Sequence, residues 1–466
     1  MTNSHSPSNR ASIPELGVNL PAGQGASSLM LSLLRDVCAR YPDTFGATTL
    51  PTSSASLKKT YAGLLVDIEQ RRCASPKRRE IACWLQNEVA TRTFLRDSGG
   101  RERPLKDLGL NAKPLPLEHL SSSHASGWSP QLRYGNKQWQ GREISGLIDD
   151  LEARHRTNSA TAGTLRRATA RLDSHGELDL SGERFVLLGA GAESAPTEAL
   201  LRAGATVLWM DIVPPAAELH TIGGELHHAC GRSDLLLYPD RVAATVADFA
   251  GSDSVHLGLF AYGPGQGREW RLGAAMNAAL RALPSEMVRS IGLLVSPTSP
   301  IELHEDDADL ATQRLQQTSG WRSWFAGARL LTKSRARTGL PRVCDSIVPL
   351  QGVSYQAAQW LEKTIAMEAI AADNPQIPIS ANVAPVTKTA SMNHPVFQAA
   401  FRGAPVFEVE AFDSQFTRTL AAMLYIEDVM GEKPDRHRHL HGGVLPLPFS
   451  LESAIRVAAA VGFIRR

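Results

Sequence analysis

The chain has 466 residues, 43% of them hydrophobic and 21% charged, and its 49 lysines and arginines nearly cancel its 47 aspartates and glutamates. That length suits two or three domains with buried cores, and a net charge of +2 excludes a strong field drawing in nucleic acid or a membrane surface. No run nears the roughly 18 apolar residues of a membrane span, Met1 to Ser12 lack a basic-then-apolar leader, and Cys38, Cys73, Cys83, Cys230 and Cys344 are scattered, so a reduced cytoplasmic protein is expected.

Residues 1–28 are rich in Ser, Asn, Pro and Gly and are expected to be poorly ordered. Apolar residues at helical spacing then predict helices over Ser28–Arg40, Leu57–Arg72 and Lys77–Leu95. Between Leu57 and Lys113 stand 13 basic and 7 acidic residues, with Arg71, Arg72, Lys77, Arg78 and Arg79 concentrating the charge. That is either a solvated helix face or a surface for an acidic or phosphate-bearing partner. Residues 96–142 carry turn formers and little periodicity, as a segment wrapped over another part of the molecule would. Glu143–Arg171 returns to a helical pattern, completing a mainly helical region over 29–180.

From residue 184 the pattern alternates. Strands are predicted at Phe185–Leu188, Ala205–Met210, Leu235–Tyr238, Val255–Phe260 and Ile291–Val295, and a late one at Ile377–Val383. Helices are predicted at Ala195–Ala203, Pro214–His228, Arg241–Ala250, Gly267–Leu283, Asp306–Gln317, Tyr355–Ala372, Asp413–Met430 and Ser450–Val461. Near-continuous apolar strands separated by helices predict an α/β fold, a doubly wound parallel Rossmann-type sheet over 181–400. A helical C-terminal extension over 401–466 closes the chain.

The densest chemical signal runs from Arg184 to Asp211. A strand leads into Gly189-Ala-Gly191-Ala192-Glu193-Ser194, then a helix, then a second strand ending on Asp211. Gly189 permits a tight turn, Gly191 lets a phosphate approach the backbone, and the following helix would aim free N–H groups at it. Ser194 or Ala195 takes the place of a third glycine. Asp211 lies at the distance expected of an acid that binds a ribose diol, which favours NAD over NADP.

Beyond this turn the sequence resembles the short-chain dehydrogenase/reductase superfamily in an extended or atypical form. Val255-His-Leu-Gly-Leu-Phe-Ala261-Tyr262-Gly263 is similar to that family's fourth strand and the loop backing the cofactor. Asn277 stands where a helix asparagine is common, Ile291 to Thr298 resembles the fifth strand ending on a catalytic serine or threonine, and Asn382-Val-Ala-Pro385-Val-Thr387-Lys388-Thr389 resembles the sixth-strand exit. The resemblance implies an NAD(P)-dependent oxidoreductase acting on a carbonyl or alcohol of a small molecule, often as a homodimer. It departs at one place: Pro300 to Gly320 has neither tyrosine nor lysine, and Tyr355 is followed four residues on by Gln359, so the family's Tyr-x-x-x-Lys is absent.

Ser296 and Thr298 are therefore the expected hydrogen-bond donors to substrate, and Tyr262, Lys388 and His304 the candidates for the missing acid. Each has a plainer role open to it: Tyr262 in packing, Lys388 as a surface charge, His304 as a helix cap. Asp240 is placed either near an adenine or as an N-cap. His437, His439 and His441 would share one side of an extended strand, but Arg436 and Arg438 repel a cation, His227-His228 is weaker still, and no metal centre is expected. Trp321 and Trp324 share a helix face and either pack or line a substrate pocket. Two rival classes remain: an S-adenosylmethionine-dependent methyltransferase, which shares the first strand, turn and acid, and a non-catalytic nucleotide-binding scaffold.

Overall fold

The computed structural model describes residues 16–121, 127–229, 233–318, 320–334, 341–389, 392, 395–431 and 439–464. Its centre is a seven-stranded sheet of β1 (Glu118–Ser121), β2 (Arg184–Leu188), β3 (Thr206–Met210), β4 (Glu225–His228), β5 (Val255–Leu259), β6 (Val288–Val295) and β7 (Ile379–Val383). The strands lie in the order β7-β6-β5-β2-β3-β4-β1. All neighbours from β7 to β4 are parallel, and β1 closes one edge antiparallel to β4. The chain builds outward from β2 through β3 to β4, then returns to the other side of β2 for β5, β6 and β7. The direction of growth thus reverses between β2 and β5, the point at which sheets of this kind generally take ligands at their carboxyl ends.

Period-two alternation assigns the strand residues to two cores. Val186, Leu188, Leu208, Met210, Leu257, Leu259, Ile291 and Leu293 share one cluster with Leu29 to Leu65, Trp270 and Trp360. The N-terminal helices and this face of the sheet therefore have a common hydrophobic core. Phe185, Leu187, Val207 and Trp209 point the other way, into a cluster with Leu147, Leu165, Phe416 and Tyr425. There, glycine at 292 is required, because a Cβ would stand 1.9 Å from the Tyr425 ring.

Several local expectations are corrected. Of the segment 1–28 expected to be disordered, residues 1–15 lie outside the described residues. The rest is ordered: Gly17–Asn19 pairs with Phe94–Arg96, and a helix opens at Ala26. The strand expected at Leu235–Tyr238 is a turn, since the Asp234 carboxylate accepts the N–H groups of Leu236 and Leu237 and Pro239 then opens a helix. The third parallel strand is instead Glu225–His228, inside the segment expected to be helical. Its alternation is short: Leu226 and His228 are buried while Glu225 is exposed. The helix expected over Glu143–Arg171 is two, Ile144–Ala153 and Ser159–Ala170. It breaks where His155 takes a left-handed φ of 53° and Asn158 caps the second helix. Residues 96–142 do wrap, and they contribute β1 to the sheet edge.

Candidate functional site

Two groups of side chains meet at the carboxyl edge of the sheet on either side of β5. The first is the turn after β2. Gly189 has φ +85°, and a Cβ there would stand 2.2 Å from the backbone nitrogen of Ala261, so only glycine lets the β2 and β5 exits close on each other. The exposed Gly191 donates its N–H to Asp211 Oδ2 at 3.0 Å, while Asp211 Oδ1 accepts the Val213 N–H at 3.0 Å. Glu193 binds the Ser414 hydroxyl, which also reaches the Lys388 carbonyl at 3.3 Å. The Thr387 hydroxyl bonds that of Thr417 at 2.8 Å and the Pro385 carbonyl at 2.9 Å. Thus Glu193, Lys388, Thr387 and Pro385 are gathered around the amino end of the helix Ser414–Met430. The helix after the turn is shorter than expected, Thr197–Arg202, with Pro196 as its uncapped N-cap. The turn 189–194 is thus largely backbone at the surface, with Ala192 and Ser194 part-buried in it.

The second group lies beyond β6. The Ser296 and Thr298 hydroxyls are 2.8 Å apart, and both lie close enough to the Tyr355 phenol to favour its ionised form. Burial has the larger effect and raises the Tyr355 pKa above the usual 10.0. The phenol is consequently protonated at neutral pH. Tyr262 stands edge-on to this ring, centroids 6.4 Å apart. Tyr262 is itself half exposed, and its partial burial, with the nearby Tyr355 and Glu269, raises its pKa above the usual 10.0. Gly263, further along that loop, packs against Leu272.

Tyr355 is the residue that sequence reasoning discarded. It opens a helix that runs as an α-turn over Gly352–Gln356, a π-helical stretch over Ala357–Ile365 and an α-helix over Ala366–Asp373. Such π segments are rare and frequent at functional sites. Polar side chains on this stretch service the end of β6. Gln359 Oε1 accepts the Ser296 N–H at 3.0 Å, Gln356 Nε2 donates to the Thr298 carbonyl at 2.7 Å, and Lys363 Nζ donates to the Leu294 carbonyl at 2.6 Å. Burial pulls the Lys363 pKa down to about 8. The sequence signal was the four-residue repeat Tyr355, Gln359, Lys363.

The N-terminal helices hold this helix in place. Tyr61 accepts the Gly352 N–H at 3.2 Å and donates to the Pro349 carbonyl. Gln86 donates to the Leu361 carbonyl at 2.6 Å, and Trp360 Nε1 donates to Glu69 at 2.9 Å. Glu69 in turn pairs with Arg72, which is fully buried and also meets Glu368. Arg78 pairs with Glu302 and Glu368 at 2.6 Å, and Arg71 with Asp67. Arg72 and Arg78 are thus committed to inward pairs, Arg71 pairs at the surface of its own helix, and Lys77 and Arg79 are exposed.

Other candidates have structural tasks. His304 caps the helix Glu305–Gln316, its Nδ1 accepting the Asp306 N–H at 3.2 Å. Asp240 sits in the first turn of Pro239–Ala250 and pairs with Arg103 at 3.0 Å. Trp321 packs on Phe325 and Phe407, whereas Trp324 is 67% exposed. Asn277 is buried and donates to the carbonyl and carboxylate of Glu362, both at 2.8 Å. His437 lies outside the described residues. His439 and His441 are buried against the two oxygens of Asp307, at 3.4 and 2.9 Å. Cys38, Cys73, Cys83 and Cys344 are free thiols.

Comparison with protein-family models returns no match, and neither does comparison with curated proteins. Among the described residues no helix is long and apolar enough to cross a membrane.

Proposed function

We propose that the protein is an NAD(P)-dependent oxidoreductase of the short-chain dehydrogenase/reductase type, reducing a carbonyl or oxidising an alcohol on a small molecule. One observation carries the reading: a buried phenol, Tyr355, stands by the paired hydroxyls of Ser296 and Thr298 at the end of β6, one strand from the point where the strand order reverses. The 3-2-1-4-5-6 order of β2 to β7 supports a Rossmann-type dinucleotide site, since ligands of such sheets bind at that point. The residues fit the cofactor. Gly189 lets the β2 and β5 exits close on each other, and the exposed Gly191 presents backbone rather than a side chain beside Asp211, where a diphosphate and ribose would lie. Each Asp211 oxygen accepts one N–H and keeps a further lone pair for a ribose hydroxyl. When bound, a reduced nicotinamide supplies the hydride.

The chain's own task is the proton. Tyr355 donates it to the oxygen that gains charge, and Ser296 and Thr298 supply hydrogen bonds to that oxygen and hold the phenol in line. The lysine four residues on, usual in the resembling family, is replaced by Gln359, whose side chain holds β6 instead. With no cation supplied from that position and burial raising its pKa, Tyr355 is suited to giving a proton rather than to ionising first. The reductive direction is favoured for that reason, and its rate should stay flat from about pH 6 to about pH 9, below the usual phenol pKa near 10.

The test is a titration of NADH and NADPH followed by nicotinamide fluorescence. Enhancement that saturates supports the reading. Absence of any response, with S-adenosylmethionine binding in its place, would move the assignment to a methyltransferase.

A further inference from the structure

At the β1 edge of the sheet, three strands from β2, β1 and β4 bring together residues that the sequence keeps over a hundred positions apart. His119 and His227 are directly opposed in the antiparallel register, and their rings stack with centroids 4.6 Å apart. Glu225, two residues before His227, shares its side of the strand. One ligand atom from each of His119, Glu225 and His227 lies within 4.8 Å of the other two. Glu225 Oε2 and His227 Nε2 are 4.0 Å apart.

We propose that His119, Glu225 and His227 form a binding site for a divalent transition-metal ion of the zinc class, which clasps β1 to the sheet. Two imidazoles and a carboxylate are a common zinc set, leaving one position to water. Ligand atoms on a tetrahedral zinc stand about 3.3 Å apart at bond lengths of about 2.0 Å, so closing from 4.0–4.8 Å needs shifts of about an ångström. Exposed side chains make such shifts by rotamer adjustment, and His119 and Glu225 are both exposed, with His227 half-buried beneath them. The carboxylate is already aimed, because the Thr206 hydroxyl on β3 donates to Glu225 Oε2 at 3.2 Å. Outer-shell bonds of this kind orient metal ligands. Arg184, the nearby cation, is paired with Asp253 at 3.0 Å. The edge gains most from such a clasp: β1 has only four residues, and among the described residues it pairs with β4 alone.

The site departs from the expectation of no metal centre because its pattern is non-local. Within one strand it reads only as Glu-x-His, and the third ligand arrives by strand pairing.

The test is calorimetric titration of chelator-treated full-length protein with Zn²⁺, repeated on His119→Ala, His227→Ala and Thr206→Val. One saturable equivalent is expected in the wild type. Loss of His119 or His227 should weaken it by at least a hundredfold, and Thr206→Val by about tenfold, the usual range for a second-shell partner. Zinc in hundredfold excess over Kd should raise the melting temperature of the wild type and leave His119→Ala, a surface change that need not unfold the chain, unmoved. The proposal is overturned by the absence of a saturable equivalent. Equal affinity in wild type and His119→Ala also overturns it, since that outcome places the ion on other ligands such as the free thiols.

Discussion

The corner after β2 and the corner after β6 flank the same strand, β5, yet they are made of different material. At the first, nearly everything is backbone: two glycines, a left-handed φ, and a carboxylate that braces its own loop. At the second, everything is side chain: two hydroxyls, a phenol and a row of polar residues on a π-helical stretch. A backbone corner can be set by a few adjacent residues. A side-chain corner has to be assembled from distant segments, and here it recruits the N-terminal helices through Tyr61, Gln86 and Glu69. The difference suggests a division of labour, with binding at the first corner and proton transfer at the second, and it can be broken by experiment.

The largest effect should come from Tyr355→Phe. The ring keeps its contact with Tyr262 and only the hydroxyl is lost, so turnover should fall about 10²–10⁴-fold, the span of general acid catalysis. Nicotinamide fluorescence should titrate as in the wild type. Steady-state rates with an active carbonyl substrate, beside a cofactor titration, decide it; a variant that turns over normally removes Tyr355 from the chemistry. The complementary change, Gly189→Ala, attacks the first corner. A methyl group at φ +85° and 2.2 Å from the Ala261 nitrogen forces the β2 and β5 exits apart. Backbone strain with a steric clash is expected to destabilise the fold by about 2–4 kcal/mol, measurable by denaturant unfolding. Equal stability would mean that the two exits are not locked together.

The contrast between the corners also explains what the sequence could convey. Gly189, Gly191 and Asp211 are close in the chain and follow a strand–turn–strand rhythm, so their meeting was legible, and β2, β3, β5, β6 and β7 were recognisable as apolar runs. Tyr355 was set aside because it lacks a lysine four residues on. What makes it a partner of Ser296 is a helix returning over β6, an event 63 residues away at the Ser296–Gln359 bond. Strand β4 escaped notice because Glu-Leu-His-His buries only alternate residues, whereas Leu235-Leu-Leu, the stronger apolar run, is bent into a turn by Asp234. Side-chain hydrogen bonds to the backbone won over hydrophobicity there.

The scaffold of the second corner carries a cost that the first does not, and Glu362 measures it. It lies fully buried on the π-helical stretch, and burial raises its pKa from 4.5 to about 8, against the bond from Asn277 and the attraction of Arg281. A raised pKa means that the folded state holds the proton longer than the unfolded chain. The associated stability is complete below about pH 4.5 and drains away as pH climbs toward 8. Glu362→Gln should remove that slope and leave the variant more stable than wild type at pH 8. Thermal melts at several pH values would show it. Parallel profiles for the two proteins would mean that Glu362 is ionised and satisfied inside the fold.

The smallest effect separates recognition from mere turn formation at the first corner. Asp211→Ala removes two hydrogen bonds to N–H groups on a half-open loop, which water can replace, so the fold should lose about 1 kcal/mol or less. If the same carboxylate also holds a ribose diol, NADH affinity should fall about tenfold, the worth of one such charge-assisted bond. NADPH should lose less, because the charge that repels a 2′-phosphate is gone. The informative quantity is the ratio of the two dissociation constants, which cancels any general loosening of the turn. A ratio that moves toward NADPH assigns Asp211 to the cofactor. A ratio that stays fixed while both affinities drop assigns it to holding Gly191, and the corner would then discriminate through its backbone alone.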